Sequence, residues 1–511
     1  MKQRTTFVHD SEDAFDPKQI RLDRDVVHIE SLKAAREDRL TLGLYELPQE
    51  IWVVLKQCHE LRVRWASSHS YAATAPFVST VPPGLHVFFT PQKDRIVESL
   101  CPILQKIFGE AVACTSVEAA FTSPNVVSER FASSATYQYY NSLPSLQNFV
   151  IYIKEKLCAR DALCESAAER LLYADYFDFD FDTISQSATL SAFWHKNPAA
   201  EVWTEDLDNR HGSIKLELGV LANQKPTQPE ELSLGGFLAV VGEDTKPNPT
   251  LFSFPSRHHL ADANFSTSFT QPTGLHPTLR LALPRSLTRP SSECALHAYI
   301  TIPSFLFVDQ YQLSSPNLLA SKNLHSIRSL SGETDLEAPN WAVSRWGSTL
   351  LLQLAPPSTG ESSSQEDIWH ADIPLHLRYL QPSDTPKNHS GKPESSGGYK
   401  SLSVPWPNVF WACPTDEGTK MNTNPFDRVN LGYDGLFGPR TMFYHLRPAV
   451  YGKHLIETLT APTLDPSSLG WIEIGTVVSV VIGFLWVLWK LVRVYVDDVS
   501  DSAEDRQKKE N

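Results

Sequence analysis

The chain holds 511 residues, 41% hydrophobic and 20% charged, which excludes a wholly disordered protein and allows two or three domains. Its 45 Lys and Arg against 59 Asp and Glu leave a net charge of −14, and that acidity argues against a nucleic-acid binder, whose partner's phosphates demand cations. Thirty-six prolines against 23 glycines, with short β-branched and aromatic runs, point to β-structure on rigid connections and exclude a helical repeat, a collagen-like chain and a polytopic transporter.

Residues 1–23 contain no apolar run resembling the core of a secretory signal. Residues 1–205 read as a mixed α/β region. Apolar residues at helical spacing mark 48–68 and 97–114, and 146–176 is the longest helical stretch, while 84–91 reads as a strand. Cys158 and Cys164 then fall on one helix about 9 Å apart along its axis, too far for a direct disulfide. The other cysteines are Cys58, Cys101, Cys114, Cys294 and Cys413; none forms a CxxC pair, so no zinc ribbon or redox motif is present, and an odd count leaves at least one unpaired.

Asp175-Tyr-Phe-Asp178-Phe-Asp180-Phe-Asp182 admits two readings. Overlapping D-x-D patterns resemble the acids with which nucleotide-sugar glycosyltransferases hold a divalent ion, here Asp178, Asp180 and Asp182. Alternatively this is a strand, with Phe177, Phe179 and Phe181 toward a core and the aspartates toward solvent. No nucleotide-binding βα unit, G-x-S-x-G elbow, H-E-x-x-H or Walker loop accompanies it. His258-His259 reads as loop polarity.

From residue 210 to 465 short strands alternate with proline and serine: 215–222, 235–243, 278–284, 295–309, 348–356 and 374–382. That texture suggests an antiparallel sandwich. The polar stretches 356–367 and 382–398 read as mobile loops, and Asn264-Phe-Ser and Asn388-His-Ser are N-glycosylation sequons. In the 374–382 strand, Leu375, Leu377 and Tyr379 would face a core while His376 and Arg378 project from the other face. The final segment, from Trp471 to Trp489, carries Glu473 as its one charge, and nineteen helical residues rise about 28 Å, the thickness of a bilayer core. A transmembrane helix with its flank over 471–496 leaves a tail at 497–511. Lys490, Arg493, Arg506, Lys508 and Lys509 follow the span, whereas Lys453 is the one Lys or Arg in the twenty residues before it. This bias places the tail in the cytosol and the bulk across the membrane. The terminal Lys508-Lys509-Glu-Asn resembles a dilysine retrieval signal, read on cytosolic tails. A tail-anchored, cytosol-facing adaptor is the alternative that the missing signal favours.

Four boxes stand in order before the span. They are Phe307-Val-Asp309-Gln-Tyr311-Gln312, Asp335-Leu-Glu337-Ala-Pro339, His376-Leu-Arg378-Tyr379, and Pro407-Asn-Val-Phe410-Trp-Ala-Cys413. The succession, over roughly 295–496, resembles the PIG-X family and its fungal counterparts, non-catalytic subunits of glycosylphosphatidylinositol (GPI) mannosyltransferase I. That resemblance implies a lumenal, mainly-β domain anchored in the endoplasmic-reticulum membrane, no cofactor of its own, and a polytopic catalytic subunit as partner. It further implies Asp309, Tyr311, His376, Arg378 and Tyr379 as motif residues and candidate partner contacts. A glycosyltransferase using Asp178, Asp180 and Asp182 is the competing class.

Overall fold

The computed structural model describes residues 1–10, 16–92, 97–124, 135–158, 160–196, 202–208, 215–356, 368–382, 399–416, 418, 421, 424–449, 454–463 and 469–507. Two units emerge: Met1–Tyr379 with Leu402–Leu459, and Leu380–Ser401 with Thr460–Asn511.

The first unit holds a ten-stranded sheet. Its strands are β1 (Lys2–His9), β2 (Ala35–Gly43), β3 (Cys58–Ala66), β4 (Gly84–Pro91), β5 (Tyr137–Asn141), β6 (Tyr176–Asp182), β7 (Ser187–Trp194), β8 (Lys215–Gln224), β9 (Glu231–Val240) and β10 (Asn248–Pro255). Their spatial order is β10-β9-β8-β1-β2-β7-β6-β3-β4-β5, so strands from both sides of residues 205–210 share one sheet. The β1–β8 pair is parallel; the other pairs are antiparallel. Helices α1 (Gln49–Leu55), α2 (Leu100–Phe108), α3 (Gln147–Lys156) and α4 (Ala162–Arg170) share a core with this sheet, joining Leu55, Leu104 and Phe149 to Val63, Val87 and Phe177. Each such side chain contributes roughly 1.5–3 kcal/mol when buried.

Two sequence expectations fail here for local reasons. The stretch 48–68 is helix only to Leu55, because Leu61, Val63 and Trp65 alternate with Glu60, Arg62 and Arg64 and so present an apolar face as a strand. The stretch 146–176 is two helices, broken where the Asp161 carboxylate accepts the Leu163 N–H and starts α4. The break turns the chain, bringing the Cα atoms of Cys158 and Cys164 to 5.3 Å, and the two are disulfide-bonded rather than too far apart. Cys101–Cys114 and Cys294–Cys413 are also bridged. Cys58 stays a free, buried thiol, its pKa pushed up to about 12 by burial.

The same unit holds an eight-stranded sheet. It is built from β11 (His258–Phe269), β12 (Thr278–Pro284), β13 (Ala295–Pro303), β15 (Leu324–Gly332), β16 (Gly347–Leu354), β17 (Ile368–Pro374), β19 (Asn408–Pro414) and β20 (Thr441–Pro448) in the order β15-β16-β13-β19-β20-β11-β12-β17. Asp372 N–H donates to Lys322 O and Asn323 Nδ2 to His370 O, drawing the two edges together. A short pair, β14 (Leu306–Phe307) with β18 (His376–Leu377), sits outside that order. The expected loop pair His258-His259 is instead buried in β11, where His258 Nδ1 lies 2.9 Å from His445 Nε2.

In the second unit, α5 (Leu469–Gln507) includes Leu469–Val496, 28 residues long and, with a window of mean hydropathy 2.1, apolar enough to cross a membrane. The hydroxyls of Thr476 and Ser479 donate 2.8 Å bonds to Ile472 O and Gly475 O, the bonding a polar group would need in hydrocarbon. Lys490 and Arg493 lie over the rings of Trp489. The sequon Asn388 and Lys508 and Lys509 fall outside the described residues.

Candidate functional site

The aspartate run forms β6, between β3 and β7, and register decides its chemistry. Asp178 lies opposite Arg64, and Asp180 opposite Arg62. Arg64 Nη1 donates to Asp178 Oδ1 at 2.7 Å and Nη2 to Asp180 Oδ1 at 3.0 Å; Arg62 Nη1 reaches that same Oδ1 at 2.8 Å. From far along the chain Arg428 donates Nε to Asp178 Oδ2 at 2.6 Å and Nη2 to Glu37 Oε2 at 2.5 Å. Burial drives the Asp180 carboxyl up, but the guanidiniums of Arg64, Arg62 and Arg428 outweigh it and hold the pKa below its usual value. Asp182 instead accepts the N–H groups of Ile184 and Ser185 at a turn. Phe177, Phe179 and Phe181 enter the core as the strand reading requires, yet Asp178 is buried rather than solvated. A divalent ion does not fit carboxylates already gripped by three arginines, and no group of three or more His, Cys, Asp or Glu among the described residues is arranged to hold one.

The family boxes build a second constellation. Loops leaving the strands at Pro303, Gly332 and Pro374 meet around Phe307, whose strand β14 pairs with β18, placing Phe307 opposite His376. The His376 ring stacks on Phe307 with centroids 5.1 Å apart. Its Nε2 lies 3.0 Å from Gln312 Oε1 and its Nδ1 2.9 Å from His276 Nδ1. With the amide oxygen accepting, His376 carries its proton on Nε2 and accepts from His276 on Nδ1. Burial lowers the His376 pKa, the neighbouring His276 adds to this, and Asp309 opposes both. Asp309 Oδ1 accepts the N–H groups of Tyr311 at 2.8 Å and Gln312 at 3.1 Å, which fixes the turn presenting Gln312.

Arg378 overturns the expected alternation. The strand ends at Leu377, the Arg378 N–H donates to Phe305 O, and the side chain turns inward, only 2% exposed. Its guanidinium sits 4.6 Å from the centroid of Phe307 and Nη1 donates to Ala338 O at 2.8 Å. Burial lowers its pKa against the pull of Glu333 and Asp335. Leu375 is in the core as expected, but Leu377 is half-buried and Tyr379, 71% exposed, points out instead of in. Asn340 N–H bonds Tyr379 O, closing the cluster.

Three boxes therefore converge: Phe307–Gln312, Asp335–Pro339 and His376–Tyr379. The fourth does not join them. Its Phe410 packs beneath Tyr433 and Phe443, and Cys413 bonds Cys294, so that box is scaffold. Asn264 is exposed on β11. His276, Arg64 and Arg428 escaped sequence reasoning; the alternation of Arg62 and Arg64 against Asp178 and Asp180 was the available signal for Arg64, and Arg428 had none.

The PIG-X / PBN1 family profile matches residues 272–492, which include the converging boxes and most of the apolar stretch Leu469–Val496. Protein pbn1 of Emericella nidulans is 47% identical over 96% of this chain and 95% of its own length. Protein pbn1 of Neurospora crassa is 41% identical over 100% of both chains, and protein PBN1 of Yarrowia lipolytica 24% over 94% of each. Similarity at this level over full length covers both sheets and the helix, and the chain belongs to the PIG-X / PBN1 family.

Proposed function

We propose that the protein is a non-catalytic, stabilising subunit of GPI mannosyltransferase I in the endoplasmic-reticulum membrane, needed for adding the first mannose to the GPI precursor. Family membership supports a role in GPI-anchor biosynthesis. The observation that carries the finer reading is the inward commitment of the polar side chains in both candidate centres. Asp178 and Asp180 are held by arginines, and His376 and Arg378 by Gln312, His276, Phe307 and Ala338. A catalyst keeps a reactive group open to substrate; these are locked as a frame, with Tyr311 and Tyr379 on its outside. We place the docking of a polytopic catalytic subunit at Asp309, Tyr311 and Tyr379, with His376 and Arg378 acting through the loops they position; the exposure of Tyr311 and Tyr379 supports this.

Three disulfides and one apolar helix suit a single-pass membrane protein with its folded part in an oxidising, lumenal-type compartment. We assign the bulk to the lumen, the tail with Lys508 and Lys509 to the cytosol, and glycans to Asn264 and Asn388. Tagged full-length protein purified from solubilised microsomes should retain the polytopic mannosyltransferase and, stripped of it, transfer no mannose. Recovery without that partner, or transfer by the isolated chain, would overturn the proposal.

A further inference from the structure

The far end of the ten-stranded sheet is apolar on both faces. One face of β1, β8 and β9 carries Phe7, Leu218, Val220 and Ala239 into a closed core. The opposite face carries Leu221, Leu238, Phe252 and Phe254, and a groove of about 450 Å³ runs over it, lined also by Pro425 and Phe426. A sheet with one solvated face alternates apolar with polar; here Val8, Leu221 and Leu234 pack with Phe77, Phe193 and Phe426 into a second core, and beyond its edge Leu238 is left 36% exposed.

Register gives the groove a direction. Arg4 lies beside Glu217, which lies beside Val240; four residues on, Val8 lies beside Leu221, and Leu221 beside Gly236. Phe252 pairs with Leu234 and Phe254 with Leu232, so the phenyl rings line the Leu221 end and the charges the Glu217 end. Four strand residues separate the two ends by about 13 Å. At the charged end Glu217 meets two cations. Arg4 Nε and Nη2 bond Oε2 at 3.0 and 2.8 Å, and Lys2 Nζ lies 2.8 Å from Oε1, leaving one positive charge in excess. These cations are partly exposed. The pKa of Glu217, raised by burial but lowered more by Lys2 and Arg4, keeps it ionised beneath them.

We propose that this groove binds an anionic lipid with one long aliphatic chain, its headgroup at Arg4 and Lys2 and its chain along Leu238 toward Phe252, Phe254 and Phe426. The volume falls within the range of ligand pockets, and the segregation of charge and phenyl rings along one axis matches an amphiphile better than a compact solute or a flat protein surface.

Delipidated full-length protein in a non-ionic detergent should bind radiolabelled oleyl phosphate saturably, one per chain, with oleyl alcohol at least tenfold weaker and millimolar inorganic phosphate failing to compete. Leu238→Trp, which fills the groove, should reduce binding at least tenfold. Lys2→Gln with Arg4→Gln should bring oleyl phosphate down to the affinity of the alcohol. Because a bulky residue can disturb folding, Leu238→Cys supplies a second readout. Maleimide labelling of the introduced thiol should be slowed severalfold by oleyl phosphate, against a background set by buried Cys58 and the bridged cysteines. Equal binding of phosphate and alcohol, competition by inorganic phosphate, or labelling unchanged by the lipid would overturn the proposal. Labelling already blocked in the delipidated protein, by its own chain or by a bound protein, would do the same.

Discussion

Replacing Asp178 by asparagine separates a structural carboxylate from a catalytic one. Asp178 accepts from Arg64 through one oxygen and from Arg428 through the other, at 2.7 and 2.6 Å, and all three groups are at least 95% buried. The substitution would leave two guanidiniums facing a neutral amide that cannot accept on both sides. Removing one partner of a buried ion pair costs about 3–5 kcal/mol. Whole-domain stability is typically about 5–15 kcal/mol, so the loss consumes much of it. Asp182→Asn retains the oxygen that takes the Ile184 and Ser185 N–H groups and should cost under about 1 kcal/mol. Urea unfolding of the detergent-solubilised chain, followed by proteolysis, should show a large drop in midpoint for Asp178→Asn and little change for Asp182→Asn, with cellular levels following. Wild-type stability and abundance of Asp178→Asn together with lost mannose transfer would refute this reasoning and restore the glycosyltransferase reading.

Other outcomes follow from the same geometry. Arg378→Ala removes the Ala338 bond and the contact with Phe307 and should lower protease resistance by the equivalent of about 1–3 kcal/mol, whereas Tyr379→Ser should leave resistance unchanged and weaken partner recovery; the reverse pattern would contradict the frame. Burial lowers the pKa of His86 and His297 to about 4 and of His445 to about 3. Each lies below the unfolded value near 6.5, so the stability they permit is complete above pH 6.5 and lost as pH falls, by about 2 kcal/mol per histidine at pH 5. A urea midpoint equal at pH 7 and pH 5 would contradict this. Endoglycosidase H should shift the mobility of the full-length protein, and Asn264→Gln should remove part of the shift. An insensitive wild type would favour a cytosolic bulk.

How legible the molecule is from its sequence depends on how local each determinant is. The apolar helix needs only composition, and strands such as Gly84–Pro91 and Thr278–Pro284 match the sequence reading residue for residue. Residues 48–68 mislead because β3 is buried on both faces, one by apolar packing and the other by ion pairing, which masks the usual contrast. Arg62 and Arg64 alternating, and Asp178 and Asp180 alternating with opposite sign, foreshadow the antiparallel register. Arg428 gives no local hint, standing 250 residues from Asp178. The boxes are visible as boxes, but chain order does not say that Phe307 will meet His376. Arg378 turned inward because alternation holds only while the strand lasts, and this one ends at Leu377.

Acute depletion of this protein in cells, with the catalytic mannosyltransferase quantified alongside its lipid substrate, tests the central claim most directly. A stabilising subunit predicts that the catalytic subunit falls several-fold in parallel, that glucosaminyl-phosphatidylinositol accumulates, and that re-expressed wild type restores both. Catalytic subunit at undiminished level and activity after depletion, with no accumulation of that intermediate, would contradict it.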